Sequence, residues 1–508
     1  MSALIRGILA ATLATGLAGA ALADKKDNTI RFAYDQAPES VDPYFNNVRI
    51  GVILGQLAWD TLIYRDPDTN EYKGQLAKSW KWVDDKTIDF DLREGIFFHN
   101  GEEFDADDVV YTMNFVSKAE NKVVTQTNVS WIAGAEKLGK YQARIKLKQP
   151  FPGAIEYLAG PVVIHPDKYY AEVGPQGMNA KPVGSGPYKI TEHVPGKVIK
   201  LEANPNYFAT SQRPKAKIAK IEVRILPDRQ TQVAEAMAGG LDFIMNVPKD
   251  QAAALKMAPH LAVSEGETMR IVFLNFNTLE TTPAPALRDK RVREAIALAI
   301  DRKTMLAQLV GEKGRILNAI CFPTQFGCDD AQAPRFDYNP AKAKALLAEA
   351  GFANGLELDL FAYRERDQSE AMIGYLRAVG IKANLKFMQY AAMREQVRGN
   401  KASISHQTWG SFSVNDVSAS TPNYYKFTAD DINRDPEVRD LLEKGDTSVD
   451  PAVRKAAYAK GLALIQERFL GVPLYSLSTN YVSNKDLVFK AYPDEIPRFW
   501  EMTWKQVP

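Results

Sequence analysis

The chain has 508 residues with 63 Lys and Arg against 62 Asp and Glu, so it has room for two or three units of about 100–200 residues each and no charge excess to draw it to a polyanion. No basic block stands out that could neutralise a run of phosphates, which argues against nucleic acid as a partner. Five histidines, His99, His165, His193, His260 and His406, stand singly without the close spacing of a zinc pair, and neither metal nor cofactor is expected.

Arg6, the nearly uncharged stretch from Gly7 to Gly19 and the small residues Ala21-Leu22-Ala23 read as a secretory signal peptide over residues 1–23, with the mature chain beginning near Asp24. The apolar stretch is short of the roughly 20 strongly apolar residues of a membrane span. No Cys lies near the cut, so a freely soluble exported protein is expected. Asn28 to Tyr34 alternates as a strand does, and Ala37 to Pro43 breaks it with two prolines. Gly51 to Leu62 has helical spacing, and Lys81 to Leu92 reads as a hairpin around Asp-Asp-Lys. Asp105-Ala-Asp-Asp108 precedes an apolar run where a helix start prefers acid, with Asp105 or Asp107 as the cap.

Pro182-Val-Gly-Ser-Gly-Pro-Tyr188 marks a crossover rather than a phosphate loop, which would need a following helix start and usually a Lys. Arg270 to Asn277 is strand-like, Thr281 to Pro285 interrupts, and Asp289 to Asp301 is a strong helix. Further helices are expected at Pro340 to Ala350, Glu370 to Val379, Met393 to Arg398 and Pro451 to Phe469, with strands at Leu356 to Phe361 and Ile381 to Phe387 between them. This alternation predicts an α/β architecture. Cys321 and Cys328 close a short loop, which in an oxidising compartment favours a disulfide; the rival is half of a metal site.

Four blocks then carry a resemblance: Gly74-Gln-Leu-Ala-Lys-Ser-Trp80, the run from Leu92 to Tyr111, Pro182 to Tyr188, and Asp289 to Arg302. In this order they resemble the peptide- and nickel-binding family of extracytoplasmic components of ABC importers. The resemblance implies a two-lobed periplasmic binding protein fold, type II-like, with an extra small domain. The main domain of lobe 1 would combine residues 24–60, 188–277 and 484–508, the small domain would be 61–187, and lobe 2 would be 278–483. It also implies a monomer in the periplasm that captures a dipeptide or short peptide and delivers it to permease subunits in the inner membrane.

By the same resemblance Arg364 falls where dipeptide-binding members clamp the ligand carboxylate, a task suited to a planar guanidinium; the alternative is a surface pair with Glu365 or Asp367. Thr408-Trp409-Gly410-Ser411 matches the family's Gly-Trp segment, but Phe412 stands where an Asp would meet the ligand's ammonium group. Asp416 is the next acid, either rearranged into that role or an ordinary cap. Trp409 offers a flat wall and an indole donor, or else packs in the core. Asn46, Asn47 and Arg49 match cleft-lining positions of oligopeptide-binding relatives, or face water. The alternative cargo is an opine, a modified amino acid, a sugar conjugate or a metal chelate. A hydrolase finds little support, since Val183 to Pro187 fails the spacing of a nucleophile elbow and no carboxylate pair is singled out; no enzyme activity is expected.

Overall fold

The computed structural model describes residues 27–505, so the expected signal peptide at 1–23 lies outside the described residues. Ten strands form one mixed sheet in the order Ile381–Phe387, Leu356–Ala362, Ile404–Trp409, Leu261–Phe276, Gly471–Asn484, Phe243–Val247, Thr29–Tyr34, Lys220–Ile225, Val198–Ala203 and Tyr188–Val194. The fourth and fifth strands in that order are the two longest, 16 and 14 residues, and they run antiparallel from one half of the molecule into the other.

Between Glu267 and Ile271 their register breaks. On one side Leu261–Glu267 faces Ser478–Asn484, and the latter borders Phe243–Val247; on the other, Ile271–Phe276 lies between Gly471–Ser476 and Ile404–Trp409. Thr268 Oγ1 fills the break by donating to Leu477 O at 2.6 Å. A bulge of this kind bends the strand and increases its twist, so a single sheet serves two lobes.

The period of two sorts the cores. Val272, Leu274 and Phe276 pack with Ile296, Leu360 and Leu474, whereas Ile271 and Phe273 point to the opposite face and join Phe322, Tyr424 and Tyr458. In the first lobe Phe32, Trp59, Phe243 and Phe499 share one core with Phe90 and Ile145 of a separate four-stranded antiparallel sheet, ordered Ala77–Asp84, Thr87–Leu92, Gln142–Leu147 and Ile132–Gly139. The helix Ala106–Val116 covers that sheet. Asp105 caps it, accepting from Asp107 N at 2.8 Å while Asp108 accepts from Asp105 N at 2.8 Å.

The Pro182–Tyr188 segment packs on the end of the helix Arg49–Ala58. A Cβ at Gly184 would meet Ala58 O at 1.9 Å and one at Gly186 would meet Leu57 O at 2.5 Å, so both glycines are required by close backbone approach. The run after it is a hairpin of Tyr188–Val194 and Val198–Ala203. The helices expected after residue 285 form at Lys290–Ala299, Pro340–Glu349, Arg366–Ala378, Tyr390–Arg398 and Pro451–Glu467. Cys321 and Cys328 are disulfide-bonded with Cα atoms 5.8 Å apart. The loop they close pairs with the segment after Phe412, through Phe326 N to Asn415 O at 3.0 Å and Val417 N to Phe326 O at 3.1 Å.

Candidate functional site

A cavity of about 1660 Å³ opens between the lobes, walled by residues of both and floored by the crossing strands at Thr268, Arg270 and Leu477 to Asn480. Its lining holds eight Lys and Arg against seven Asp and Glu. Of the residues singled out in the sequence, it brings together Asn47, Arg49, Arg364, Trp409 and Phe412.

The other three stand elsewhere. Asn46 is buried and staples its own loop, its Nδ2 donating to Val48 O at 2.7 Å and its Oδ1 accepting from Glu39 N at 3.3 Å. Gly410 does not line the cavity; a Cβ there would meet Arg49 Nη2 at 2.7 Å and Arg270 Nη2 at 3.1 Å, so its missing side chain is what admits the two guanidiniums. Asp416 is buried away from the cavity, where Arg454 Nη2 donates to both its oxygens at 3.0 and 2.9 Å and Ser418 N donates to Oδ1 at 3.0 Å. Its carboxylate is thus already engaged within lobe 2.

Arg49 opens its helix, and its guanidinium reaches Glu495 at 3.1 Å and Ser413 Oγ at 2.7 Å. Arg270 joins the same carboxylate at 3.2 Å. Burial works to raise the Glu495 carboxyl, but Arg270, Arg49 and Arg364 together hold it below the usual range. Arg364 follows the strand Leu356–Ala362, and its Nε donates to Glu365 Oε1 at 2.6 Å, so both Nη groups lie outside that bond. Burial would raise Glu365 as well, and Arg364 outweighs it to keep the carboxyl low. Glu365 starts the next helix with a left-handed φ of 51°.

Trp409 ends its strand and stands edge-on to Phe412, ring centroids 5.3 Å apart, and to Tyr424 at 6.0 Å. Its indole N–H is not free for a ligand, because it donates to Ala419 O at 2.7 Å; the ring alone serves the wall. Ser411, Phe412 and Ser413 have φ of 51°, 50° and 67°, three successive left-handed non-glycine residues. Such backbone persists only where its surroundings over-determine it. Here Ser413 Oγ donates to Asp494 O at 2.6 Å, Arg65 Nη2 donates to Ser413 O at 3.0 Å, and Glu156 accepts from Asn415 N at 2.6 Å, so the first lobe grips the loop at several points.

Sequence reasoning missed Arg270, Glu495, Tyr363, Tyr390, Arg394, Arg398 and Asp430, which also line the cavity. Arg394 and Arg398, four apart on one helix, carried a readable signal as a cationic stripe. Glu495 carried none, being 225 residues from the Arg270 it meets.

The two-lobed mixed α/β fold with a solute-sized cleft defines a periplasmic-type binding protein. Residues 71–431 match the family model of bacterial extracellular solute-binding proteins, family 5 Middle. The chain belongs to that family; it is a solute-binding component of an ABC importer, not an enzyme. Similar proteins include the oligopeptide-binding protein AppA of Bacillus subtilis, 28% identical over 349 residues that span 64% of this chain and 63% of AppA, just under two thirds of its length. Among solved structures, a dipeptide binding protein from Pseudoalteromonas sp. SM9913 in complex with Met-Leu superposes with a TM-score of 0.82 at 21% identity, covering 94% of this chain and 100% of the other. AgaA of A. tumefaciens R10 in complex with agropinic acid superposes with a TM-score of 0.78 at 24% identity, covering 94% and 99%. Among the described residues no helix is long and apolar enough to cross a membrane.

Proposed function

We propose that the chain captures a small peptide-like acid between its lobes, in the periplasm and as a monomer, and hands it unaltered to the permease subunits of its importer. The observation that carries the reading is Arg364, with both Nη groups outside its bond to Glu365, on the wall of a cavity lined from both lobes. A guanidinium there suits two parallel hydrogen bonds to a carboxylate. Closure would turn on the register break between Glu267 and Ile271, where few residues need to change, with residues 61–187 riding on the first lobe as an added domain.

A cargo without a free α-amine, such as an opine or an N-substituted amino acid, is the second reading. It is favoured by Phe412 at the position where peptide-binding relatives carry Asp, and by the pairing of Asp416 with Arg454. Replacing Arg364 with Ala tests the clamp. Affinity for the solute that co-purifies, identified by mass spectrometry, should fall more than about tenfold, since charge-assisted bonds contribute about 1.5–3 kcal/mol. An unchanged affinity counts against the clamp, and conversion of the solute to a product counts against a binding protein.

A further inference from the structure

We infer that the cleft contains a second anion subsite, formed by Arg394 and Arg398, and that the cargo is a solute with two acid groups separated by a flat or apolar body. The inference rests on the reading of the cleft as the solute site.

Both arginines lie on the helix Tyr390–Arg398, one turn apart, and both line the cavity. They converge on a single buried carboxylate. Arg394 gives Asp430 its Nε and Nη2, the latter at 2.7 Å, and Arg398 gives Nε at 2.8 Å and Nη2 at 3.1 Å. Each Nη1 lies outside that pairing. One carboxylate cannot neutralise two guanidiniums, so the group keeps a unit of positive charge beside the cavity. Their side chains remain 30% and 44% exposed, against 7% for Asp430, so the cations and not the anion are presented. An exposed arginine usually pairs singly with a surface acid and contributes little; two sharing one buried acid within a cleft do not fit that pattern.

The two cationic poles are joined by an aromatic wall. Arg394 lies 5.9 Å from the Tyr390 ring, the Tyr390 ring lies 4.9 Å from that of Tyr363, and Tyr363 directly precedes Arg364. Nothing comparable awaits an ammonium group. Among the described residues that line the cavity, Glu495, Glu365, Asp430, Asp35 and Glu370 each already face an arginine. Asp250 and Asp367 are exposed. Among the described lining residues a zwitterion would find acids outside such pairs only at these two solvent-facing positions, whereas a two-ended acid would meet one cationic pole at each end.

Calorimetry on ligand-stripped protein with N-succinyl-phenylalanine, N-butyryl-phenylalanine and the zwitterion Met-Leu tests this. The succinyl compound differs from the butyryl one by its second carboxylate, and it should bind at least about tenfold tighter. The Arg394→Gln/Arg398→Gln double variant should erase that preference, the loss falling mainly on the succinyl compound, and Arg364→Ala should weaken both. A double variant that loses its thermal transition would be replaced by Arg398→Gln alone, for which at least a threefold narrowing of the preference is expected. Equal affinities in the unaltered protein, a preference that survives the variants, or tighter binding of Met-Leu would overturn the inference and leave solute capture standing. Failure of all three compounds to bind, with no small molecule co-purifying, would overturn both.

Discussion

Two buried groups of cations and carboxylates differ in how their charges balance and in what they border. In the second lobe Arg454 holds Asp416 and donates to Gly445 O at 2.8 Å, while Lys426 and Tyr458 both meet Asp446 at 2.6 Å and Lys426 also meets Glu443 at 2.8 Å. Carboxylates outnumber cations there and no member lines the cavity. At the cleft, Arg49, Arg270 and Arg364 surround Glu495 and Glu365, cations outnumber carboxylates, and all five line the cavity. Burial alone therefore does not mark a site: the same residue types are sealed within the second lobe in one group and border open space with surplus positive charge in the other.

The largest effect should come from the sealed group. Arg454→Ala leaves Asp416 buried and uncompensated, and should lower the unfolding free energy by about 3–5 kcal/mol in a denaturant titration. A loss as large from Arg364→Ala in ligand-free protein would erase the contrast.

Acid sharpens it. Burial depresses His406 to about 4, from an ordinary value of 6.5. A depressed histidine binds its proton more readily when unfolded, so its contribution is complete above pH 6.5 and is lost as pH falls toward 4. His406 alone should contribute a decline of roughly 3 kcal/mol at most over that window, by the conversion of about 1.4 kcal/mol per unit, and His406→Gln should remove that share while leaving the share of His99, which burial also depresses to about 4. Glu495 and Glu365, held low by their arginines, lose their contribution only below the ordinary carboxyl range. Carbon NMR titration should place them below that range and Asp446, raised by burial, above it.

The disulfide lies behind the same loop. Replacing Cys321 and Cys328 with Ser frees a loop whose closure contributes about 2–3 kcal/mol, read from the denaturation midpoint. Because that loop pairs with Asn415 and Val417, affinity should also fall in the folded variant. The smallest effect is expected at Ser411, where Gly removes the left-handed strain without a hydrogen bond to lose; stability should rise by about 0.5–1 kcal/mol while a looser Phe412 weakens binding slightly.

The elements were legible where period and punctuation agree. The helix Lys290–Ala299 with its Asp289 cap, the strand Ile381–Phe387 and the capped helix Ala106–Val116 each carry their cause within a few residues. The strand Gly471–Asn484 was missed because it is buried along nearly its whole length and shows no alternation to read. At the cleft the sequence pointed to Arg49, Arg364, Trp409 and Phe412 through motif position, and to Asn46, Gly410 and Asp416 by the same logic, although those three do not line it.

Local order, the choice of α/β class and the family were determined by the chain's own residues, because periodicity and capping act over short range. Which charges face the guest was decided only by the fold. Glu495 meets Arg49 and Arg270, and Asp416 meets Arg454, across long stretches of chain, and whether a carboxylate is spent on a neighbour or offered to a solute depends on what packing brings within about 3 Å of it.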